Sequence, residues 1–409
     1  MDQQLYPLNL RELILNTRKP IVLKNFKHQW TCFENGLDKW CELYDAHSPE
    51  TPEFERIALG ESSEPQWERK RQQIRISATE FLHDHSSERN YWSGLNYKRK
   101  NDIPEECSKG VDFGCFGFPH ATDDCTFWLS SKGANTPCHY DTYGCNIVVQ
   151  VFGRKSWLLF PPSNTVLTPT RIPYEESSVY CKENFYAPNS KEFTQLEQLK
   201  GQSYQCILEP NDVLIVPRHW WHYVEALEIS LNVNAWIPLT CDIDNQIEEC
   251  ITKHIMETFI RNSSDDIKSF VMNPNHLSAI AKSEELFNIL EYLLEQKLSE
   301  DVHKEDAKKS GISHRYHYLN ESEFTAIKHS IRNLFEVPII ADDEWVEYLR
   351  RQSSRYHSKS LLQNEQDSVY NSLSHIQEAM LNSLCSPNVV NAIKVELLNR
   401  YNKQNKNYN

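Results

Sequence analysis

Two histidines and an aspartate, set among short β-forming segments, constrain this chain more than any other feature. His139-Tyr-Asp141 ends one such segment, and His222 sits much later in Pro217-Arg-His-Trp-Trp-His222. Side chains on a strand alternate faces, so His139 and Asp141 project to the same side and can grip one ion together. A third ligand from a distant strand would complete a triad that leaves one face of an octahedral metal open. A His-x-Asp tripeptide is common by itself, and its surroundings give it weight. Asn146-Ile-Val-Val-Gln-Val-Phe-Gly153-Arg-Lys155-Ser-Trp-Leu-Leu-Phe160 holds two apolar runs around a short Gly-containing connection, which predicts a hairpin. Leu208-Glu-Pro-Asn211-Asp212 is a turn signal before a buried strand at Val213–Val216, and residues 229–236 alternate as a further strand. The ligands are thus expected at strand ends of a small β-barrel.

Two imidazoles and one carboxylate suit non-heme Fe(II) oxygenases, and in their context these residues resemble the JmjC branch of the 2-oxoglutarate- and Fe(II)-dependent oxygenases. Within that branch the resemblance is to the heat-shock-protein-beta-associated family. It is carried by His139-Tyr-Asp-Thr-Tyr-Gly-Cys-Asn146, Arg171-Ile-Pro-Tyr-Glu-Glu-Ser-Ser-Val179 and Val216-Pro-Arg-His-Trp-Trp-His-Tyr-Val-Glu225. A more distant one is to the asparaginyl hydroxylase that inhibits the hypoxia-inducible factor. The likeness covers about residues 1 to 260 and implies an α+β fold. Its core would be a double-stranded β-helix, the jelly-roll of the cupins, with N-terminal α/β additions and a C-terminal helical region.

The same resemblance implies Fe(II) on His139, Asp141 and His222, with 2-oxoglutarate and dioxygen as co-substrates. It places Lys155 on the distal carboxylate of 2-oxoglutarate. Strand alternation turns the neighbouring Arg154 to the opposite face, so only one of the two points inward. Thr136 matches the family's hydroxyl donor to that carboxylate, against an ordinary turn residue before Pro137. Tyr91 matches more weakly, against a plain core aromatic with a satisfied hydroxyl. Asn146 and Asn234 match polar positions flanking the co-substrate, and an asparagine in an apolar strand needs a partner of some kind. His219 shares the histidine-rich run, but the resemblance assigns the ligand role to His222. Trp220 and Trp221 are expected to wall the site, and His120, Asp123 and Asp124 to lie in a loop. The implied activity is hydroxylation of a protein side chain, preferred because no zinc-binding histone-reading module accompanies the core. The alternatives are protein N-methyl demethylation, tRNA-base hydroxylation, or a scaffold that binds a small heat shock protein.

Composition narrows the partners. The 409 residues carry a formal net charge of -14 with no basic block, which argues against nucleic acid, since phosphate binding relies on clustered Lys and Arg. Twelve cysteines include no C-x-x-C pair, so they read as buried thiols of a reducing compartment. The amino terminus lacks a signal-peptide pattern and no stretch is long and apolar enough for a bilayer, which predicts a cytoplasmic or nuclear protein without membrane attachment.

Along the chain, residues 1–110 read as an α/β extension, 111–240 as the barrel with an insert at 162–205, and 241–409 as a helical region with a mobile tail. The N-terminal part should hold a helix near 8–15, a strand at 20–24, and a helix started by Ser77-Ala-Thr-Glu80. Inserts of this length are often lids or binding loops. Ile243, Ile247, Ile251, Ile255 and Phe259 form an apolar stripe, read as core packing or as a homodimer seam. Further helices are expected over 276–298, 321–335 and 366–400, with polar, mobile stretches at 299–312 and after Tyr401.

Overall fold

The structure, a computed structural model of the 409-residue chain, describes residues 5–58, 72–84, 91–169, 178–272, 282–310, 319–355 and 374–408. Its strands are β1 (Ile21–Leu23), β2 (Glu53–Ala58), β3 (Gln72–Arg75), β4 (Tyr91–Arg99), β5 (Thr126–Ser130), β6 (Asn135–Asp141) and β7 (Cys145–Phe152). They continue with β8 (Lys155–Phe160), β9 (Ser178–Tyr180), β10 (Tyr204–Leu208), β11 (Val213–Val216), β12 (Trp221–Ala226), β13 (Ser230–Ile237) and β14 (Leu334–Glu336). The helices are α1 (Leu5–Asn16), α2 (Gly36–His47), α3 (Ala78–Asp84), α4 (Glu105–Ser108), α5 (Ser190–Leu196) and α6 (Asp242–Ile260). After these come α7 (Asp265–Met272), α8 (Ser283–Ser310), α9 (Glu321–Ser330), α10 (Asp342–Ser353), α11 (His375–Leu384) and α12 (Pro387–Tyr408).

Two antiparallel sheets face each other. The large one has the order β14-β1-β11-β7-β13-β5-β4-β2-β3 and the small one β10-β8-β12-β6-β9. Strands β5 to β8 and again β10 to β13 alternate between small and large sheet, the signature of a double-stranded β-helix. The expected hairpin between β7 and β8 is therefore a corner: the two strands lie in different sheets. Gly153 makes the corner, with φ +61° and a position where a Cβ would stand 2.0 Å from the Ile229 carbonyl oxygen. Between the sheets, Val22, Val148, Trp157, Leu159, Leu208, Leu214, Val216 and Val224 form one buried cluster. The expected helix start at Ser77 is present, its Oγ accepting from the Glu80 N–H at 3.0 Å.

Chain contacts divide the molecule into two units. The first combines the described parts of residues 1–168 and 180–238 with those of 319–360. The expected single helical region over 241–409 is thus split, because 319–355 returns to the barrel. There β14 pairs with β1, so the helix expected over 321–335 ends at Ser330. Helix α10 buries Trp345 and Leu349 completely, with the Trp345 indole donating to the Leu196 carbonyl at 3.0 Å.

The second unit contains α6 to α8, α11 and α12. The apolar stripe of α6 is covered within the chain: Ile243, Ile247 and Ile251 pack on Leu286, Leu290 and Leu294 of α8 and Val390 of α12. Helix α8 runs on to Ser310 and α12 to Tyr408, through polar stretches expected to be mobile. The Arg171–Ser177 part of the insert lies outside the described residues.

Candidate metal centre

Strands β6 and β12 pair antiparallel with His222 directly opposite His139, so both rings share one face of the small sheet. Their centroids lie 4.2 Å apart. Asp141, two residues on from His139, projects to that same face. Ligand atoms of the three side chains all fall within 4.8 Å of one another, and among the described residues no other group of His, Cys, Asp or Glu does so. Register slips between the His222 and Val224 pairings, where Thr136 stands opposite Val224. The extra residue in β6 is a bulge, and Pro137, which has no N–H for the ladder, sits within it.

Backbone carbonyls set the imidazole tautomers. His139 Nδ1 lies 2.8 Å from the Pro137 carbonyl and His222 Nδ1 2.9 Å from that of Trp220. A carbonyl only accepts, so each Nδ1 carries a proton, and in the neutral ring it is Nε2 that offers the lone pair. Those Nε2 atoms lie 3.6 and 3.9 Å from the Asp141 carboxylate, which also accepts a 2.9 Å bond from the Trp236 indole. Two imidazoles and a carboxylate, with no fourth protein ligand among the described residues, fit a divalent first-row metal with open positions. The rings are buried, and Trp157 stacks on His222 at 5.7 Å. Its Nε1 has no partner.

Deeper on the same inner face is Lys155. Its register partners are Ala226 and Leu208, and alternation places it with Trp157 and Leu159. The side chain is only 5 % exposed, donating from Nζ to Ser130 Oγ at 3.2 Å and to Asn232 Oδ1. No described carboxylate forms an ion pair with it, and burial pushes its amine down to about 7. Asn232 in turn donates to Asn234, and Asn146, on the inner face by its pairing with Val216 and Trp236, keeps a buried Oδ1 without a partner. The bulge brings Thr136 to this face too, since it stands opposite Val224.

Arg154 turns outward to an exposed pair with Glu228, as alternation requires. Tyr91 is not brought to the cluster. It alternates away from the buried Trp92, its hydroxyl donates to Asp84, and its ring lies under Arg56 at 3.9 Å. His219 bonds to the Thr142 carbonyl at 3.0 Å, and burial, then Arg218, pushes it down to about 4. Trp220 joins the inner core and Trp221 packs edge-on against Tyr140 at 4.7 Å. His120 lies in a short helical turn with Asp123 just after it, apart from the triad. The sequence reading missed Ser130, Asn232 and Trp236. For the last two the signal was available, because Asn232, Asn234 and Trp236 recur every second residue on β13.

Comparison with known proteins places this geometry. A family described as a cupin-like domain matches residues 7–238. Bovine HSPB1-associated protein 1 is 36% identical over 274 residues, 61% of this chain and 54% of that one. The rat protein of that name is 44% identical over 196 residues, 46% of this chain and 39% of its own. Lysine-specific demethylase 8 of Xenopus tropicalis is 26% identical over 247 residues, covering 56% and 50% respectively. The chain spans about half the length of the curated relatives it matches. With the two-sheet barrel and the triad at its inner face, the chain belongs to the cupin-like, JmjC-type domain family.

Proposed function

We propose that this chain is a 2-oxoglutarate- and Fe(II)-dependent oxygenase that hydroxylates a protein side chain. The observation that carries this reading is a buried lysine without a counter-charge among the described residues, on the same inner face as an open His-Asp-His triad. A buried ammonium that lacks an anion is costly, and the carboxylate of a bound ligand would remove that cost. Two orphaned polar atoms on that face, Asn146 Oδ1 and Trp157 Nε1, also await partners.

In this reading His139 Nε2, His222 Nε2 and the Asp141 carboxylate hold Fe(II). Lys155 and Thr136 anchor the distal carboxylate of 2-oxoglutarate, with Asn146 and Asn234 beside it and Asn232 holding Lys155. Iron, 2-oxoglutarate and dioxygen together supply the oxidation: the keto acid leaves as succinate and carbon dioxide, and one oxygen atom enters a substrate C–H bond. The protein's own part is positional. The carbonyls of Pro137 and Trp220 hold the Nδ1 side of both imidazoles and so aim each Nε2 at the site. Lys155 takes up a proton as the anion arrives, and Val148, Trp157 and Val224 exclude water around it. A protein substrate is supported by the acidic chain and by relatives whose names refer to protein partners or lysine residues.

The test is conversion of 2-oxoglutarate to succinate by iron-loaded protein, with mass spectrometry of treated lysate for added oxygen or lost methyl groups. Turnover in wild type and none in Asp141→Ala is expected. A second reading draws on the relatives named for HSPB1 association: a barrel that binds a small heat shock protein without turnover. Absence of succinate from iron-loaded wild type, together with retained binding of such a protein, would favour it.

A further inference from the structure

Both triad histidines are oriented by backbone carbonyls, but Asp141 is the last residue of β6 and is oriented by a side chain. The donor is the Trp236 indole, 2.9 Å from Asp141 Oδ2, reaching across from β13 in the large sheet. That indole is itself braced. Tyr97 stacks on it with centroids 5.9 Å apart and rings tilted by 24°, and meets Trp128 edge-on at 5.1 Å.

Tyr97 reaches this position at a cost. Register in β4 slips between Leu95 and Lys98, and Tyr97 sits in that bulge with φ +56°. Among the described residues five non-glycines have positive φ; three are asparagines, which tolerate it, and the others are Tyr97 and His219. Bulges beside functional sites commonly re-aim a side chain, and strain held at such a place points to a role. The ring it aims is 49% exposed, so burial does not account for the conformation.

We propose that Trp236 is a positioning residue for the metal. Its indole N–H holds the Asp141 carboxylate turned toward His139 and His222, and Tyr97 keeps the indole in place. The proposal rests on the reading of His139, Asp141 and His222 as metal ligands.

Calorimetric titration of the full chain with Mn2+, read beside the melting midpoint of the metal-free protein, tests both layers. Wild type binds one ion and Asp141→Ala does not. Trp236→Phe keeps a ring for Tyr97 to stack on but lacks the N–H, and is expected to bind about tenfold more weakly or worse at an unchanged midpoint. Trp128→Phe, which leaves the Asp141 bond intact, binds as wild type does. If Trp236→Phe does not fold, Tyr97→Ala decides, its expected result being weakened Mn2+ binding at an unchanged midpoint. Equal affinity in wild type and the deciding variant overturns the proposal and leaves the metal site standing. No uptake by wild type overturns both.

Discussion

Lys155 sets the residue-scale chemistry. Burial penalises the charged form and pushes its amine down to about 7, and no carboxylate among the described residues offsets that penalty. An arriving carboxylate binds the charged form. Below about pH 7 the amine is already protonated and the affinity of metal-loaded protein for 2-oxoglutarate should be flat. Above it the affinity should fall by about tenfold per pH unit, with uptake of up to one proton per ligand bound. Calorimetry in buffers of differing ionisation enthalpy measures both. Affinity that is level across this range with no proton uptake would show that Lys155 does not meet the anion.

The clustering of His139, Asp141 and His222 and the inward face of Lys155 were legible in the sequence because charged or chelating residues inside β-forming runs need a reason to be there. Ser130, which helps hold the Lys155 amine, is a neutral residue with no such signature, and its fellow partner Asn232 shows only in the every-second-residue pattern of β13. Tyr91 shows the converse. Its hydroxyl partner Asp84 arrives from α3, a tertiary contact that no local pattern announces.

Among elements, the β7–β8 corner carries the most consequence, since it turns Lys155 into the barrel. Two apolar runs around a glycine read the same whether the strands pair or change sheets, because pairing is decided by distant partners. Gly153→Ala should therefore cost about 2–3 kcal/mol in denaturant unfolding, as a Cβ would need to enter the Ile229 carbonyl from a left-handed backbone. A loss within experimental error would mean that the corner relaxes without strain. The bulge at Pro137 belongs to the same scale. It moves Thr136 onto the face of His139, although simple alternation would have separated residues three apart. Helices α8 and α12 were cut short in the sequence reading because their polar ends carry no apolar stripe, whereas helix propensity extends them.

For the molecule as a whole, the family match ends at residue 238, but the barrel's packing does not. Helix α10 lies against the outer side of the small sheet, where Trp345 meets Phe160 at 6.0 Å. Glu225 of β12 accepts from Gln352 at 3.0 Å and from Arg355 at 2.8 Å. These residues anchor the back of the strand that carries His222. Trp345→Ala should destabilise the barrel by about 3–5 kcal/mol in chemical denaturation, the range for deleting a buried tryptophan. A change below about 1 kcal/mol would make α10 an appendage. This return was not legible locally, because half of α10 is charged and its Trp345 finds a partner more than a hundred positions away.

In the proposed chemistry a metal and a lysine act on one ligand. Calorimetric titration of 2-oxoglutarate into Mn2+-loaded wild type and Lys155→Met protein tests this most directly. Binding to loaded wild type is predicted, with none to metal-free protein and a loss of about 2 kcal/mol or more, a factor of about 30, in Lys155→Met. Equal binding by the two loaded proteins, or none by loaded wild type, would contradict it.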